Sequence, residues 1–503
     1  MERRLNYGLT SITPYSHSLC ILVKEIDSMK TLVLMVLFVS LSLAQDYDTY
    51  FTRTTMRVDY YHIGTKGQEQ ITLDKVYEEN VWPGSRVNLL DTLNLGDCLV
   101  KVSDLQTNTL LYSRGYSTVF GEWQTTDEAL NGTWRTFQET VRFPFPKRKV
   151  IVSISRRDKF VGAGEVIAFR EIFSAVINPA DPTVVNRERR KNKFALFDIM
   201  INGPAENKVD ILILGDGYAA ADMEKFRTDA THFTDQLFST QPFKKHKQDF
   251  NVRAMEVISD DSGIDIPDKN VWKKTALGTM YNTFGSARYV LTEENRALRD
   301  IADAAPYDFL TILVNDNRYG GGGIFNLYTT CFTKPAKAGQ EWEMDYVYVH
   351  EFGHCFGGLG DEYYSSQVSY VDFYPKGVEP WEPNVTRTNT KENLKWRSFV
   401  HSDTPIPTPW KKAAYDSIEA LRGKLDRLAP EYYDRRAGLL KSSNDILKDP
   451  QWVGRVGAFE GSGYTSKEMY RPALDCKMFA LNPVDFDPVC AAAIERMIEL
   501  YAT

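Results

Sequence analysis

The sequence predicts an α+β fold in which an N-terminal antiparallel β-sandwich precedes an α/β domain. Residues 45–175 alternate polar with apolar positions, favour β-branched and aromatic residues, and contain turn signals at Pro83-Gly84 and Asn131-Gly132. From residue 197 onward, apolar strand-like runs alternate with amphipathic helical segments. A chain of 503 residues is too long for one ordinary core, so we expect two or three domains.

The boundaries between these regions follow shifts in composition. Residues 176–196 contain two prolines and then a charged run, which is typical of a solvated linker, and residues 197–503 form the second domain. Within this second domain we predict strands at 209–214, 250–258 and 307–314. We predict an amphipathic helix at 222–238, a charged helical pair at 411–447, a Gly-rich loop at 457–464 and a closing helix at 488–501.

Residues 1–44 are predicted to be an upstream extension followed by a secretory signal peptide. Met29-Lys30 precedes an uncharged apolar run over residues 31–43, which is too short to span a bilayer. Ser42-Leu43-Ala44 forms an acceptable cleavage site, so we expect a secreted, soluble chain that begins at Gln45 and has no membrane span.

The charge balance argues against one class of partner. The formal net charge is −7 and the sequence pI is about 5.7. With no basic stripe to neutralise phosphates, the chain is not expected to bind nucleic acid.

The most informative segment is residues 350–363, which begin His350-Glu351-Phe352-Gly353-His354. Two histidines four residues apart lie on one face of a helix, where both imidazoles can bind one zinc ion. Glu351 is then placed to take a proton from a water activated by the metal. The chain has only seven histidines, which makes a chance pairing less plausible.

A catalytic zinc needs a third protein ligand and one open position. In the pattern HExxHxxGxxH, Gly357 occupies the turning position, but the third histidine is replaced by Gly360. We therefore expect Asp361 as third ligand, with Glu362 as the alternative. A glutamate on a later helix, such as Glu392, is less favoured because the glycines indicate an early turn.

Substrate contacts are predicted on both sides of the zinc helix. Residues 321–328 follow a four-glycine run and are predicted to form an edge strand that pairs with an extended substrate through Gly321, Gly322, Gly323 and Ile324. The alternative is a flexible loop followed by a core strand. Tyr464 or Tyr470 is predicted to supply a hydroxyl to the oxyanion.

Removal of residues 1–44 would remove Cys20, and secretion would place the other five cysteines in an oxidising compartment. We expect one disulfide between Cys476 and Cys490, a second between Cys331 and Cys355, and a free Cys98. Two glycosylation sequons begin at Asn131 and Asn384 and give weak support to secretion.

Several separated segments together resemble the IgA-peptidase family of secreted zinc metallopeptidases. These segments lie at 215–218, 319–322, 350–363, 459–461, 470–472 and 476–478. The resemblance covers nearly all of the mature chain and implies a β-rich N-terminal domain followed by a metzincin-like catalytic domain. It implies zinc bound by His350, His354 and Asp361, with Glu351 as general base. It also implies a Met-turn at Met478, below the metal.

These observations predict a secreted zinc-dependent endopeptidase that acts on protein or peptide substrates. One alternative is a non-catalytic secreted binding protein with a structural zinc, although such a site usually has four protein ligands. Another is a zinc hydrolase that acts on a non-peptide bond. The sequence predicts neither the substrate nor the oligomeric state.

Overall fold

The computed structural model describes residues 47–158, 169–189, 191–335, 337–365, 370, 373–426 and 429–503. The predicted extension and signal peptide, residues 1–44, lie outside the described residues. Asp48–Thr503 belong to one compact unit. This unit combines helices with several sheets, which confirms the α+β class.

The N-terminal region forms two four-stranded sheets. Its elements are α1 (Tyr47–Tyr50), β1 (Phe51–Thr65), β2 (Gln68–Val81), β3 (Cys98–Asp104), β4 (Leu110–Tyr116), α2 (Val119–Trp123), α3 (Asp127–Leu130), β5 (Arg135–Pro146), β6 (Val150–Arg157), β7 (Phe169–Ile177) and β8 (Val185–Asn186). The strand orders are β5-β1-β2-β8 and β4-β3-β6-β7. All neighbours are antiparallel except β2 and β8. The alternation in this region therefore indicated antiparallel strands correctly.

The second region contains a six-stranded sheet. Its strands are β9 (Leu196–Met200), β10 (Val209–Asp216), β11 (Phe250–Met255), β12 (Phe309–Val314), β13 (Gly321–Ile324) and β14 (Tyr328–Phe332), in the order β13-β14-β12-β10-β11-β9. The four inner strands are parallel, and β13 and β9 run antiparallel to their neighbours at the two ends. Buried parallel strands read as continuous apolar runs, which is why β10 and β12 were predictable.

Both faces of this sheet are covered. The helices are α4 (Met223–Leu237), α5 (Asn295–Ala302), α6 (Glu341–Gly357), α7 (Lys412–Gly423), α8 (Tyr432–Ile446) and α9 (Pro488–Tyr501). Successive residues of β10 point to opposite faces. Ile211 belongs to a core with α4, α6 and α9, whereas Leu212 belongs to a core with α5 and Phe120 from the N-terminal region. In the described part of the chain, no helix has both the length and the apolar character that crossing a membrane requires.

Short 3-10 helices occupy several connections of the second region. They lie at Ala205–Asn207, Ala220–Asp222, Lys247–Asp249, Pro267–Lys269, Thr283–Gly285, Lys391–Asn393 and Arg397–Phe399.

The structure corrects two predictions about glycine-rich segments. The loop predicted at 457–464 contains β15 (Phe459–Ser462), which pairs antiparallel with β16 (Thr465–Arg471). The predicted edge strand at 321–328 ends at Ile324, and the chain then turns so that Tyr328 begins β14. Glycines shape the tight connection between β15 and β16, whereas the connection between β13 and β14 is Phe325-Asn326-Leu327, in which Asn326 has a positive φ.

Candidate metal centre and cleft

Helix α6 carries the two histidines and ends just after them. It ends at Gly357, and Gly358 adopts a left-handed conformation with φ +61°. The Gly358 amide donates to the His354 carbonyl, which is the bond of the αL cap, and the Leu359 amide donates to the Gly353 carbonyl. This turn carries the following residues back toward the histidines.

Each histidine is oriented by a backbone carbonyl. His350 Nδ1 lies 3.0 Å from the Lys477 carbonyl oxygen, and His354 Nδ1 lies 2.6 Å from that of Leu359. A carbonyl can only accept, so Nδ1 carries the hydrogen when each ring is neutral and Nε2 keeps its lone pair. The two Nε2 atoms face each other at 3.2 Å. Two imidazoles fixed in this way fit a shared metal ion.

Asp361 completes the group. Its Oδ1 lies 3.0 Å from His350 Nε2 and 3.2 Å from His354 Nε2. Its Oδ2 accepts from the Tyr464 hydroxyl at 2.5 Å. Oδ1 is buried and has no hydrogen-bond partner within the described ranges. The group therefore has one oxygen and two nitrogens directed at one point, a donor set that suits a divalent metal.

The pKa values of the group reflect this close approach. Burial raises the pKa of Asp361, but the neighbouring histidines outweigh burial and hold it well below its usual range. Burial lowers the pKa of His354, while the charge and contact of Asp361 raise it to about 9. Without a metal the site thus holds a proton, and a metal ion has to displace that proton on binding.

Glu351 follows His350 on α6 and lines the same cleft. Burial raises the pKa of Glu351, and the nearby His350 and His354 partly oppose this rise. A carboxylate with a raised pKa accepts a proton more readily near neutral pH.

The alternative ligands lie elsewhere. Glu362 turns away from the histidines, accepts from Asn384 Nδ2 at 2.9 Å and contacts Cys490 Sγ at 3.3 Å. Glu392 is exposed on a 3-10 helix. His401 is exposed and bonded to Asp403. Of the carboxylates considered, the structure brings only Asp361 to the histidine pair.

The glycines of β13 allow close contact with α6. A Cβ atom at Gly323 would lie 2.1 Å from the Glu351 carbonyl oxygen, and one at Gly321 would lie 2.8 Å from Val347 Cγ1. Gly322 faces the opposite side, toward Tyr289. The chain segment that lies close to Gly321 and Gly323 is therefore helix α6.

The outward edge of β13 is only partly paired. Gly321 exchanges backbone hydrogen bonds with Arg288 and Val290. Antiparallel pairing with β14 directs the N–H and C=O groups of both Gly321 and Gly323 outward. Across the described residues no backbone bond is found for Gly323 on that side. Gly323 lines the cleft, whereas Ile324 is buried and does not.

The two candidate tyrosines have different positions. Tyr464 lines the cleft and reaches Asp361. Tyr470 packs in a separate cluster with Leu394 and Trp396 and is not among the cleft residues, so the structure does not bring it to the site. Met478 is fully buried below α6, with Sδ 3.1 Å from where a Cβ at Gly353 would lie.

The histidine pair opens on a large cleft of about 1520 Å³. The N-terminal region contributes Asp97, Ser117 and Glu122 to its wall. The second region contributes residues of α7 and α8 to the wall. Because sites for small ligands measure about 300–1,000 Å³, this cleft has room for a longer chain.

Two aromatic residues at the site were not identified from the sequence. Tyr346 stacks on His350 at 5.5 Å and donates to the Lys477 carbonyl at 2.7 Å. It precedes His350 by one helical turn, so helical spacing contained a signal for it. Tyr363 also stacks on His350, with ring centroids 6.2 Å apart, and accepts from Arg288 at 3.0 Å. Nothing in the sequence indicates the partnership with Arg288.

Three predictions need correction, namely the two disulfides and the glycosylation sequon at Asn384. The five described cysteines, Cys98, Cys331, Cys355, Cys476 and Cys490, are free and buried. Cys331 contacts Met344 near the start of α6, whereas Cys355 contacts Asn326 near its end, so this pair is held apart. The sequon at Asn384 is fully buried, because its side chain bonds the backbone of Gly360. The sequon at Asn131 is exposed.

Two family models match the chain. The model described as IgA Peptidase M64 matches residues 197–498. The model described as Peptidase M64 N-terminus matches residues 46–165. No curated protein matches the chain.

Proposed function

Because the chain belongs to the IgA peptidase M64 family and is therefore a metallopeptidase, we propose that it is a secreted zinc-dependent endopeptidase. The observation that supports the zinc site is the convergence of His350 Nε2, His354 Nε2 and Asp361 Oδ1. Each of these residues already uses its other polar atom, so only the converging atoms remain for a metal.

Zinc is the metal that this donor set favours. Two imidazoles and one carboxylate are common catalytic zinc ligands, and three protein ligands leave a position for water or substrate. A zinc ion bound there would lower the pKa of its water toward neutrality and polarise the scissile carbonyl.

Glu351 is the proposed general base. It shares α6 with both histidines, lines the cleft, and has a pKa that burial raises. It takes the proton of the attacking water and later passes it to the leaving amine. Gly321 keeps the space beside Glu351 open, because a Cβ there would lie 3.1 Å from Glu351 Cγ.

Substrate would lie along the free part of β13. The outward N–H and C=O groups of Gly323 can pair with an extended peptide beside Glu351. Gly321 is already paired on that side, so the available edge is shorter than the sequence predicted. Tyr464 is the proposed hydroxyl donor to the oxyanion, since it alone of the two candidates lines the cleft. Its single O–H, which donates to Asp361 Oδ2, would turn to the oxyanion when that charge develops. A cleft of about 1520 Å³ favours internal cleavage of a polypeptide.

Two finer fold assignments accompany this proposal. The contact between β2 and β7 supports packing of the two N-terminal sheets as a sandwich. The Met478 thioether below Gly353 supports a metzincin-like catalytic domain. Secretion rests on the sequence alone, and N-terminal sequencing of protein recovered from the culture medium should give Gln45 first.

The proposed activity is tested by chelation and restoration. A chelator should abolish cleavage of a denatured protein substrate, and added zinc should restore it. Mass spectrometry of the products should show new termini inside the substrate chain. Cleavage that persists after complete metal removal would contradict the zinc mechanism, and release of terminal residues alone would contradict endopeptidase action.

A further inference from the structure

A second cluster of metal-binding side chains lies outside the histidine site. Glu362, Cys476, Asp487 and Cys490 each offer one ligand atom, and these atoms lie within 4.8 Å of one another. All four residues are buried, and none of them belongs to the group formed by His350, His354 and Asp361. The two sulfur atoms lie 3.8 Å apart, and Cys490 Sγ lies 3.3 Å from Glu362 Oε1.

Each of the two carboxylates in this cluster has one oxygen that makes no hydrogen bond to the described residues. Glu362 Oε2 and Asp487 Oδ2 are buried and have no hydrogen-bond partner within the part of the chain that the structure describes. Glu362 is 0% exposed and Asp487 is 5% exposed. Leaving a buried polar atom without a partner destabilises the fold, and the penalty is larger for a charged group. Two such oxygens beside two sulfurs therefore point to a binding site for a cation.

The other atoms of these side chains are held in place by the protein. Asp487 Oδ1 caps α9 by accepting from the amides of Val489 at 2.7 Å and Cys490 at 3.2 Å. Asn384 Nδ2 donates to Glu362 Oε1 at 2.9 Å. The Asp487 amide donates to Cys476 Sγ at 3.3 Å. Metal ligands characteristically have this kind of outer support. Burial raises the pKa of the Cys476 and Cys490 thiols well above the ordinary value, so a metal ion has to displace their protons on binding.

The separation of the sulfur atoms favours a metal over a disulfide. A zinc ion that binds two thiolates tetrahedrally at about 2.3 Å holds their sulfurs about 3.8 Å apart. A disulfide needs about 2.05 Å. A disulfide would also leave Glu362 Oε2 and Asp487 Oδ2 with no partner. Protonated thiols donate only weakly, and their contacts here, Cys476 to Cys490 and Cys490 to Glu362 Oε1, leave both remaining carboxylate oxygens without a partner among the described residues.

We propose that Glu362, Cys476, Asp487 and Cys490 form a second, structural zinc site behind the catalytic centre. Four protein ligands and complete burial are typical of structural zinc, and thiolates disfavour calcium and magnesium. Four anionic ligands exceed the charge of one zinc ion. The fully buried guanidinium of Arg471, whose charge acts on Glu362, offsets part of the excess.

A zinc ion at this second site would stabilise the segments that position Asp361 and His350. Glu362 follows the ligand Asp361, and its amide donates to the Met478 carbonyl at 2.9 Å. Cys476 precedes Lys477, whose carbonyl orients His350. A zinc ion at the cluster thus joins the turn after α6, the segment around Met478 and the start of α9.

Measuring the zinc content distinguishes the two sites, because the variant used changes none of the four cluster residues. Wild-type protein purified with zinc should contain two zinc ions per chain. A variant that carries both His350→Ala and His354→Ala should retain one. One zinc per wild-type chain with none in this double variant would overturn the proposal. Because the readout is metal content, a failure of the peptidase proposal would leave this result unaffected.

Cobalt substitution identifies the ligand atoms. A thiolate-to-cobalt charge-transfer band in the near ultraviolet should appear in the His350→Ala/His354→Ala variant, since among the described residues the cluster is the candidate metal group that contains sulfur. A Cys476→Ser/Cys490→Ser variant should lose the band, whereas Cys98→Ser, at a buried thiol elsewhere, should keep it. A cobalt protein without the band, or a Cys476–Cys490 disulfide found by mass spectrometry of the native chain, would overturn the proposal.

Discussion

At the scale of single residues, the centre depends on backbone carbonyls that fix the histidine rings. The Lys477 and Leu359 carbonyls hold His350 and His354, and no side-chain carboxylate takes that role. The orientation of both rings therefore depends on chain path, and substitutions of the Lys477 side chain should matter less than changes that move its backbone. Asp361 differs, because a tyrosine hydroxyl holds it.

Tyr464→Phe tests the tyrosine that contacts Asp361. If its hydroxyl also stabilises the oxyanion, kcat should fall about 10²–10³-fold, as for loss of one oxyanion donor. Zinc content should remain one ion at the histidine site. Steady-state kinetics with a peptide substrate, together with metal analysis, measures both effects.

Tyr470→Phe is the matched control for that variant. Tyr470 lies in the cluster with Trp396, outside the cleft, so kcat should stay close to the wild-type value. Equal kcat values for the two variants would contradict the assignment of Tyr464 as oxyanion donor.

Sequence pattern located some site residues and missed others for a physical reason. The spacing of His350 and His354 is local, so helix geometry alone put them on one face. Choosing between Asp361 and Glu362 requires the direction of each side chain after the turn, which Asn384 helps to set from a distant segment. Asn384 itself was interpreted as a glycosylation sequon because burial through distant contacts leaves no local signal.

At the scale of elements, the contact between β13 and α6 determines the position of Glu351. The helix approaches the strand so closely that a Cβ atom at Gly323 would lie 2.1 Å from a helix carbonyl oxygen. Backbone atoms cannot move aside as a flexible side chain can. The glycine run is therefore required for packing as well as for the proposed substrate edge.

Gly323→Ala should push α6 away from β13. We expect the free energy of unfolding to fall by about 1–3 kcal/mol, as in other overpacked sites. Displacement of Glu351 by about 1 Å should lower kcat about 10²-fold. Urea denaturation and peptide cleavage assays measure the two effects.

Gly438→Ala provides the comparison. Gly438 lies inside α8, is exposed, and a Cβ there would meet no atom within 4 Å. Alanine is favoured over glycine in a helix by about 1 kcal/mol, so this variant should be slightly more stable and fully active. If Gly323→Ala also proved stable and active, the close packing of β13 against α6 would be wrong.

Elements with strong local signals were predicted closely. The closing helix was placed at residues 488–501, and the structure has Pro488–Tyr501, with Asp487 as N-cap and proline in the first turn. The hairpin of β15 and β16 was missed because its glycines resemble a loop. Positive φ at Gly461, Gly463 and Tyr464 instead shapes a tight connection between paired strands.

At the scale of the whole molecule, a partly buried ion pair and a hydrogen bond join the N-terminal sheet to the second region. Arg57 on β1 donates to Asp59 at 2.6 Å and to Asp300 on α5 at 2.8 Å. Arg142 on β5 donates to the Tyr307 carbonyl at 3.1 Å. The N-terminal region also lines the cleft, so the two regions are expected to unfold together.

The Arg57→Ala variant tests whether the two regions unfold together. Removing the guanidinium leaves the buried carboxylate of Asp59 without its bidentate partner and also breaks the link to Asp300. Breaking a buried pair from one side costs about 3–5 kcal/mol. Denaturant unfolding should show one transition at lower denaturant concentration.

The surface variant Arg435→Ala is the control for that loss. Arg435 forms an exposed pair with Glu431 at 3.9 Å, so its removal should change the free energy of unfolding by about 0–1 kcal/mol. Two separate unfolding transitions for the wild-type chain would show that the N-terminal region folds independently and would contradict the joint unfolding.

The most direct test of the zinc peptidase mechanism compares Glu351→Gln with Glu392→Gln in the 45–503 chain. Glutamine keeps the shape of Glu351 but cannot accept the proton, so cleavage should fall about 10²–10⁴-fold while zinc content stays unchanged. Glu392 is exposed, and its variant should cleave like the wild type. Wild-type cleavage by the Glu351→Gln variant, with zinc bound, would contradict the proposed role of Glu351.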